Sequence, residues 1–425
     1  MVRTAHFRSH EVFRGDLYSC RKGVPLMKKL TALLLTAAIM LTGCRGAATS
    51  SSGGLTADQV FSGGSGNSGE PPAAMVELTP QELVDNIRIG WNFGLGLENC
   101  LTPDDPEDAV ANETLRGNPP ASSRLFESLV DCGVNAVRLP ITWRDHTDDE
   151  GNVDEPWFNR VRQVVNYAYD SGMYVIITMY HDGDSGSWLD CAASGREAAL
   201  ARYQRIWQQI SEKFSGYNER VLFESVNSLD FSDVSEDDAY DLLNDINQLF
   251  VNTVRSSGGN NPWRHLLISG YNADIMCSSD ERFVMPEDPS ERCILSVHYY
   301  IPVTFCTEGI QDKWGSNSDQ IWMRGMVEQL RENFTDKGIP AMITEYGTAG
   351  SDQPSRVFYC EMLTKLCRDA GIAAFLWDDG SEYDREDFTW TTPGLIKALR
   401  RASGSTDYTP VKQKNLLQTS DSTGE

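Results

Sequence analysis

Eight short apolar runs alternate with stretches of helical spacing between Ile89 and Trp377. The runs are Ile89–Gly94, Ala136–Leu139, Tyr174–Met179, Val221–Val226, His265–Ser269, Ile294–His298, Ala341–Thr344 and Ala373–Trp377. Helical patterns lie over Ser122–Cys132, Trp157–Ser171, Arg196–Phe214, Asp238–Ser256, Asp319–Lys337 and Ser355–Ala370. Gly133, Gly172, Gly338 and Gly371 stand where a helix C-terminus favours glycine. Strands alternating with helices argue a parallel sheet, and eight of them most simply close into a (β/α)₈ TIM barrel. The expected architecture is therefore α/β, one barrel domain over residues 75–402. A doubly wound open sheet would want a Gly-rich phosphate loop after an early strand, and none of the right form is present.

A barrel of this kind builds its site where the strands end. Polar residues that interrupt the apolar runs there are the ones to inspect. They are Asn92 after the first run, Arg138 in the second, and Tyr180, His181 and Asp182 after the third. Asn227 ends the fourth, His298 and Tyr300 the sixth, Glu345 the seventh, and Trp377 with Asp378 the eighth. One such residue alone reads more readily as a satisfied structural polar group. Their recurrence at strand after strand reads as a site.

Outside the barrel the chain is read as an address. Met27–Cys44, MKKLTALLLTAAIMLTGC, has a Lys pair, an apolar run and Leu-Thr-Gly-Cys. It resembles a bacterial lipoprotein signal, with residues 27–43 removed and Cys44 lipidated; the run is short for a spanning helix. Residues 1–26 carry no such logic and read as an upstream leader. Residues 44–74 are a Gly/Ser-rich tether, and residues 403–425 a polar tail without apolar periodicity. The expectation is an exported lipoprotein, held to the membrane by its lipid at the cell surface.

Charge narrows the partners. The chain carries 37 Lys/Arg against 61 Asp/Glu, net −24, or −29 once residues 1–43 with seven Lys/Arg and two Asp/Glu are set aside. Such a surface repels nucleic acid and anionic polymers and suits a neutral substrate, and it reads equally well as a solubilising surface on a secreted protein. Eight Cys remain within the barrel (100, 132, 191, 277, 293, 306, 360 and 367), without CxxC or Cys/His zinc spacing. Disulfides and buried thiols both fit them. No metal or cofactor is expected.

IGWNFG, ETLRGNP (Glu113–Pro119), GVNAVRLPITW, GMYVIITMYHDG, LFESVN, SVHYYIPVTFC, GIPAMITEYG and FLWDDG occur in this order. The ordered set resembles glycoside hydrolase family 5, the cellulase-like retaining glycosidases, and most of all their endoglucanase and xyloglucanase-type members. The resemblance implies that Glu345 is the nucleophile, that Arg138 holds it ionised and that Tyr300 orients it. It implies that Asn227 binds the sugar 2-hydroxyl, His298 lies near the acid/base, and Trp377 stacks under the sugar at the cleavage point. With Asn92, His181 and Tyr180 these residues make the expected substrate-binding set, and the implied partner is a β-linked glucan or xyloglucan.

The chain departs from the family pattern on the cleft. Where the fourth strand should end Asn-Glu-Pro, it reads Asn227-Ser228-Leu229, so Ser228 stands at the acid/base position. A hydroxyl of ordinary pKa cannot protonate a leaving oxygen and then activate water. Tyr180 stands where the first His of a His-His pair is expected, Leu95 replaces an Asn, and Arg116 a Trp. Glu224, four residues before Ser228 on one strand, points the same way but lies about 13 Å deeper. Three functions follow in order of preference. The first is a glycan-binding lipoprotein with impaired hydrolysis, the second an active retaining endo-β-glucanase, and the third a structural or adhesive surface protein.

Overall fold

The computed structural model describes residues 73–102, 108–190, 195–231 and 234–404. The leader, the signal with Cys44, the tether up to residue 72, Cys191 and the tail from residue 405 lie outside the described residues. Eight parallel strands close into a barrel in sequence order. They are β1 Gly90–Phe93, β2 Ala136–Ile141, β3 Tyr174–Met179, β4 Val221–Glu224, β5 Leu266–Asp274, β6 Cys293–Tyr299, β7 Ala341–Tyr346 and β8 Ala373–Asp378. Closure is made by β8 on β1, with Gly90 opposite Phe375 and Asn92 opposite Trp377. The (β/α)₈ expectation is met.

Local chemistry starts and stops the outer helices. Ser122, Asp154, Ser235, Ser316 and Asp352 each accept a hydrogen bond from a first-turn N–H of the helix that follows. Gly133 closes the helix Ser123–Cys132 at φ 101°, a conformation glycine adopts without strain. The helix expected over Asp319–Lys337 is instead Asn317–Asn333 followed by a 3₁₀ turn at Thr335–Lys337, since Phe334 leaves helical geometry.

A helix that the sequence pattern did not reveal, Pro80–Asn86, plugs the N-terminal end of the barrel. Its Leu83 and Val84, with Ile87, pack on Ala136, Ile176, Leu222, Leu267, Ile294, Met342 and Phe375. Seven residues with two buried apolar positions carry too little periodicity to be read as a helix. Their capping box at Thr79 and Glu82 is the signal that could have found it.

The C-terminal ends of three adjacent strand pairs are irregular. Register shifts fall between Ser269 and Asp274 in β5, between Val297 and His298 in β6, and between Ile343 and Tyr346 in β7. Bulges of this kind re-aim side chains, and these lie at the mouth. The β5 run expected to stop at Ser269 continues to Asp274, with Asn272 and Ala273 both at positive φ, 52° and 48°. Asn272 N donates to Leu229 O at 3.1 Å, tying the ends of β4 and β5 together. Among the described cysteines, Cys277 is disulfide-bonded, while Cys100, Cys132, Cys293, Cys306, Cys360 and Cys367 are free thiols.

Candidate active site

One guanidinium organises the floor of the mouth. Arg138, fully buried on β2, donates from Nε to Glu224 Oε2 at 2.5 Å and from Nη1 to Glu345 Oε1 at 2.6 Å. Its Nη1 also reaches Asn92 Oδ1 at 3.2 Å, and its Nη2 reaches Asn227 Oδ1 at 2.8 Å. Beneath it, Ser296 Oγ donates to Glu224 Oε1 at 2.5 Å and lies 2.6 Å from Thr344 Oγ1. Asn92 Nδ2 donates to Thr344 O at 2.9 Å. Such a layer holds its members in one geometry because each buried polar group needs its partner.

Glu345 sits at the upper edge of this layer, 2% exposed. Tyr300 donates its hydroxyl to Glu345 Oε2 at 3.1 Å, and His298 Nδ1 lies 3.7 Å from the same oxygen. Burial pushes the Glu345 carboxyl up, Arg138 and Tyr300 pull it down, and the net direction is up. The sequence had implied a lowered value from the adjacent Arg. Desolvation of the buried carboxyl outweighs what Arg138 and Tyr300 contribute. His298 is pushed down to about 3 by burial, reinforced by Arg138, so its imidazole is neutral. Its Nε2 is buried and has no hydrogen-bond partner among the described residues.

Above Glu345 opens a cavity of about 690 Å³. Of the expected site residues, Tyr180, Asn227, Ser228, His298, Tyr300 and Glu345 line it. Four others are not among the residues that line it. Asn92 and Arg138 are fully buried beneath the lining; Asn92 bonds Arg138 and Thr344 O, and Arg138 also bonds Asn227, Glu224 and Glu345. His181 turns aside at φ 28° to place Nδ1 2.5 Å from Asp184 Oδ2. Trp377 lies behind Tyr180, whose ring centroid is 5.9 Å from its indole at 21° from parallel.

The other mouth carboxyls are structural. Asp182 accepts from Trp143 N at 3.0 Å and Trp188 Nε1 at 2.9 Å, and burial pushes it up to about 7. Asp378 accepts from Trp91 Nε1 at 2.9 Å and from Gly380 N and Glu382 N. Sequence reasoning missed the far wall, which is built by Asn272–Ile275 after the β5 bulge and by Ser318, Asp319, Trp322 and Met326 of helix Asn317–Asn333. A bulge leaves no mark in an apolar run. The one available signal was Ile321-Trp322-Met323, three large apolar residues in a row where one amphipathic face would take fewer. Among the described residues no cluster of three or more His, Cys, Asp or Glu could hold a metal ion.

The arrangement has counterparts among known proteins. The family described as Cellulase (glycosyl hydrolase family 5) is matched over residues 104–382. Endoglucanase A of Paenibacillus barcinonensis is 30% identical over 369 residues, covering 77% of this chain and 91% of that protein. Among solved structures, the GH5-4 broad specificity endoglucanase of Ruminococcus champanellensis with bound cellotriose is 30% identical. Its TM-score is 0.72, over 77% of this chain and 99% of that one. The GH5-4 broad specificity endoglucanase from an uncultured bovine rumen ciliate aligns at TM-score 0.73 with 28% identity, over 77% and 99% of the two chains.

Proposed function

The chain belongs to glycoside hydrolase family 5, and from that premise we propose that it binds β-linked glucan in the cleft above Glu345 and hydrolyses it poorly. The binding half of this reading is supported by a similar structure that holds cellotriose. The impairment rests on one observation: Ser228, four residues beyond β4, lines the cavity where Glu345 is the carboxylate held by Arg138 and Tyr300. Retaining chemistry needs a second carboxyl roughly 5–5.5 Å from the nucleophile, to protonate the leaving oxygen and then activate water.

The remaining carboxylates of the lining are poor substitutes. Asp274 pairs with His298, and His298 pairs with Glu345, so Asp274 stands two strands away, about 10 Å. Its Oδ1 already caps Met276 N and Cys277 N. Asp319 caps its own helix through Gly315 N and Ser316 N. Glu345 would attack an anomeric carbon, with Tyr300 and Arg138 steadying its two oxygens, but nothing in the lining is poised to give the departing oxygen a proton.

A second reading, an active retaining endo-β-glucanase, is favoured by the intact setting of Glu345, which a pure binder does not need. The test applies the purified protein to a panel of β-glucans, xyloglucan and xylan, reading binding and reducing-end release on the same samples. Binding with release at least about 10²-fold below a family enzyme supports impairment, since general acid–base catalysis contributes 10²–10⁴-fold. Ordinary release selects the active enzyme, and no binding selects a structural or adhesive role. Localisation is part of the same proposal: the segment ending at Cys44 would carry lipid and hold the barrel at a bacterial cell surface. Loss of membrane fractionation in Cys44→Ala checks it.

A further inference from the structure

Two aromatic rings meet at one side of the cleft, Tyr180 and Trp377. Trp377, at the C-terminal end of β8, is an aromatic platform only partly buried, yet it lies outside the lining of the cavity. Tyr180 covers it, with the two rings stacked at 5.9 Å and 21°. The phenol ring is fixed from several directions. The Arg138 guanidinium lies 5.9 Å from its centroid, the His181 ring meets it edge-on at 4.6 Å, and only 7% of the residue is exposed. The indole packs close over Gly94, where a Cβ would stand 2.7 Å from its ring.

The cavity therefore begins at Tyr180 and runs the other way. It passes Glu345 and Ser228, follows the bulged end of β5 at Asn272–Ile275, and ends at helix Asn317–Asn333. There Trp322 is 61% exposed, an indole presented to solvent at the far wall of the same cavity. A flat apolar ring pays nothing in hydrogen bonds when a sugar's C–H face lies on it, which makes an exposed indole in a cleft a natural stacking surface. One indole is covered and the other is open.

We propose that Tyr180 is a specificity-determining wall: it occupies the face of Trp377, closes the β8 side of the cleft, and turns the site into a one-ended groove that takes a terminal segment of a β-glucan chain between Tyr180 and Trp322. The proposal rests on the reading of the cleft as a β-glucan site and adds to it which part of the cleft is used. A chain passing through the cleft would need both indoles. A chain end seated against Tyr180 needs only Trp322.

Calorimetric titration with cellobiose through cellohexaose tests this on the wild-type protein, Trp377→Ala, Trp322→Ala, Tyr180→Ala and the double variant Tyr180→Ala/Trp377→Ala. The wall predicts that Trp377→Ala leaves wild-type affinity within about twofold, whereas Trp322→Ala weakens it about tenfold, the loss of one stacking contact. Removal of Tyr180 should extend the gain in affinity to longer oligosaccharides, and that extra gain should disappear in the double variant. If Trp377→Ala weakens wild-type binding as much as Trp322→Ala does, the wall is overturned while the glucan reading stands. If neither the wild type nor Tyr180→Ala binds any of the oligosaccharides, the glucan reading falls and the proposal with it. Should Tyr180→Ala not fold, the two single Trp variants decide the matter by themselves.

Discussion

Arg138 Nη1 meets Glu345 Oε1 at 2.6 Å in a fully buried ion pair, and the same guanidinium holds Glu224 from Nε at 2.5 Å. One cation thus stands between two carboxylates in the floor of the barrel mouth. Their arrangement couples the stability of the fold to the readiness of the site.

Removing that cation leaves two buried acids without a countercharge, each with only a hydroxyl donor, Ser296 for Glu224 and Tyr300 for Glu345. Arg138→Met is expected to lose about 3–5 kcal/mol of stability, the usual cost of breaking a buried pair from one side. Urea unfolding measures it. The double variant Arg138→Met/Glu224→Gln should recover part of the loss, because one of the stranded charges is then gone. A single-variant loss under about 1 kcal/mol would show that water or rearrangement satisfies the carboxylates.

Packing at the opposite end of the barrel is as tight. A Cβ on Gly90 would collide with the ring of Phe375, which is fully buried beside the plug helix. Gly90→Ala is expected to cost about 1–3 kcal/mol through overpacking. At about 2–4 °C per kcal/mol for a domain of this size, the melting temperature should fall by several degrees. An unchanged Tm would mean that Phe375 has room to move.

His298 gives a pH dependence with a definite sign. Its folded value, about 3, lies below the ordinary 6.5, so the unfolded chain takes up this proton first as the pH falls. The stability that the neutral imidazole contributes is complete above about pH 6.5 and is lost progressively as the pH drops toward 3. Between pH 7.5 and 5 the wild type should lose about 2 kcal/mol more than His298→Gln, at about 1.4 kcal/mol per pH unit once below 6.5. Chemical denaturation of both proteins at the two pH values checks this, and other titrating groups cancel in the difference. Parallel losses in the two proteins would contradict a buried neutral His298.

The barrel was legible because all eight strands announce themselves as apolar runs closed by polar residues, and because helix caps and C-terminal glycines punctuate them. Six of the expected site residues line the cavity for the same reason: the strand end is where a parallel barrel must place them. Asn92 was misjudged because sequence places it at a strand end but does not show that Thr344 O and Arg138 use both ends of its amide. The pairing of Trp377 with Tyr180 was not legible, because the two come from β8 and the end of β3, far apart in sequence. The far wall was invisible for a different reason. It depends on a bulge in β5 and on where one helix packs against the mouth, and neither is written in periodicity.

In the proposed reading hydrolysis fails for want of a proton donor at residue 228 and of an open sugar seat beside Tyr180. The most direct measurement is reducing-end release from cellohexaose by wild type, Ser228→Glu and Tyr180→His/Ser228→Glu, each shown to be folded and to bind. The account predicts little release by the wild type, a small gain for Ser228→Glu, and a gain of at least about 10²-fold for the double variant, the lower bound of general acid–base assistance. Wild-type release equal to that of the double variant would contradict it.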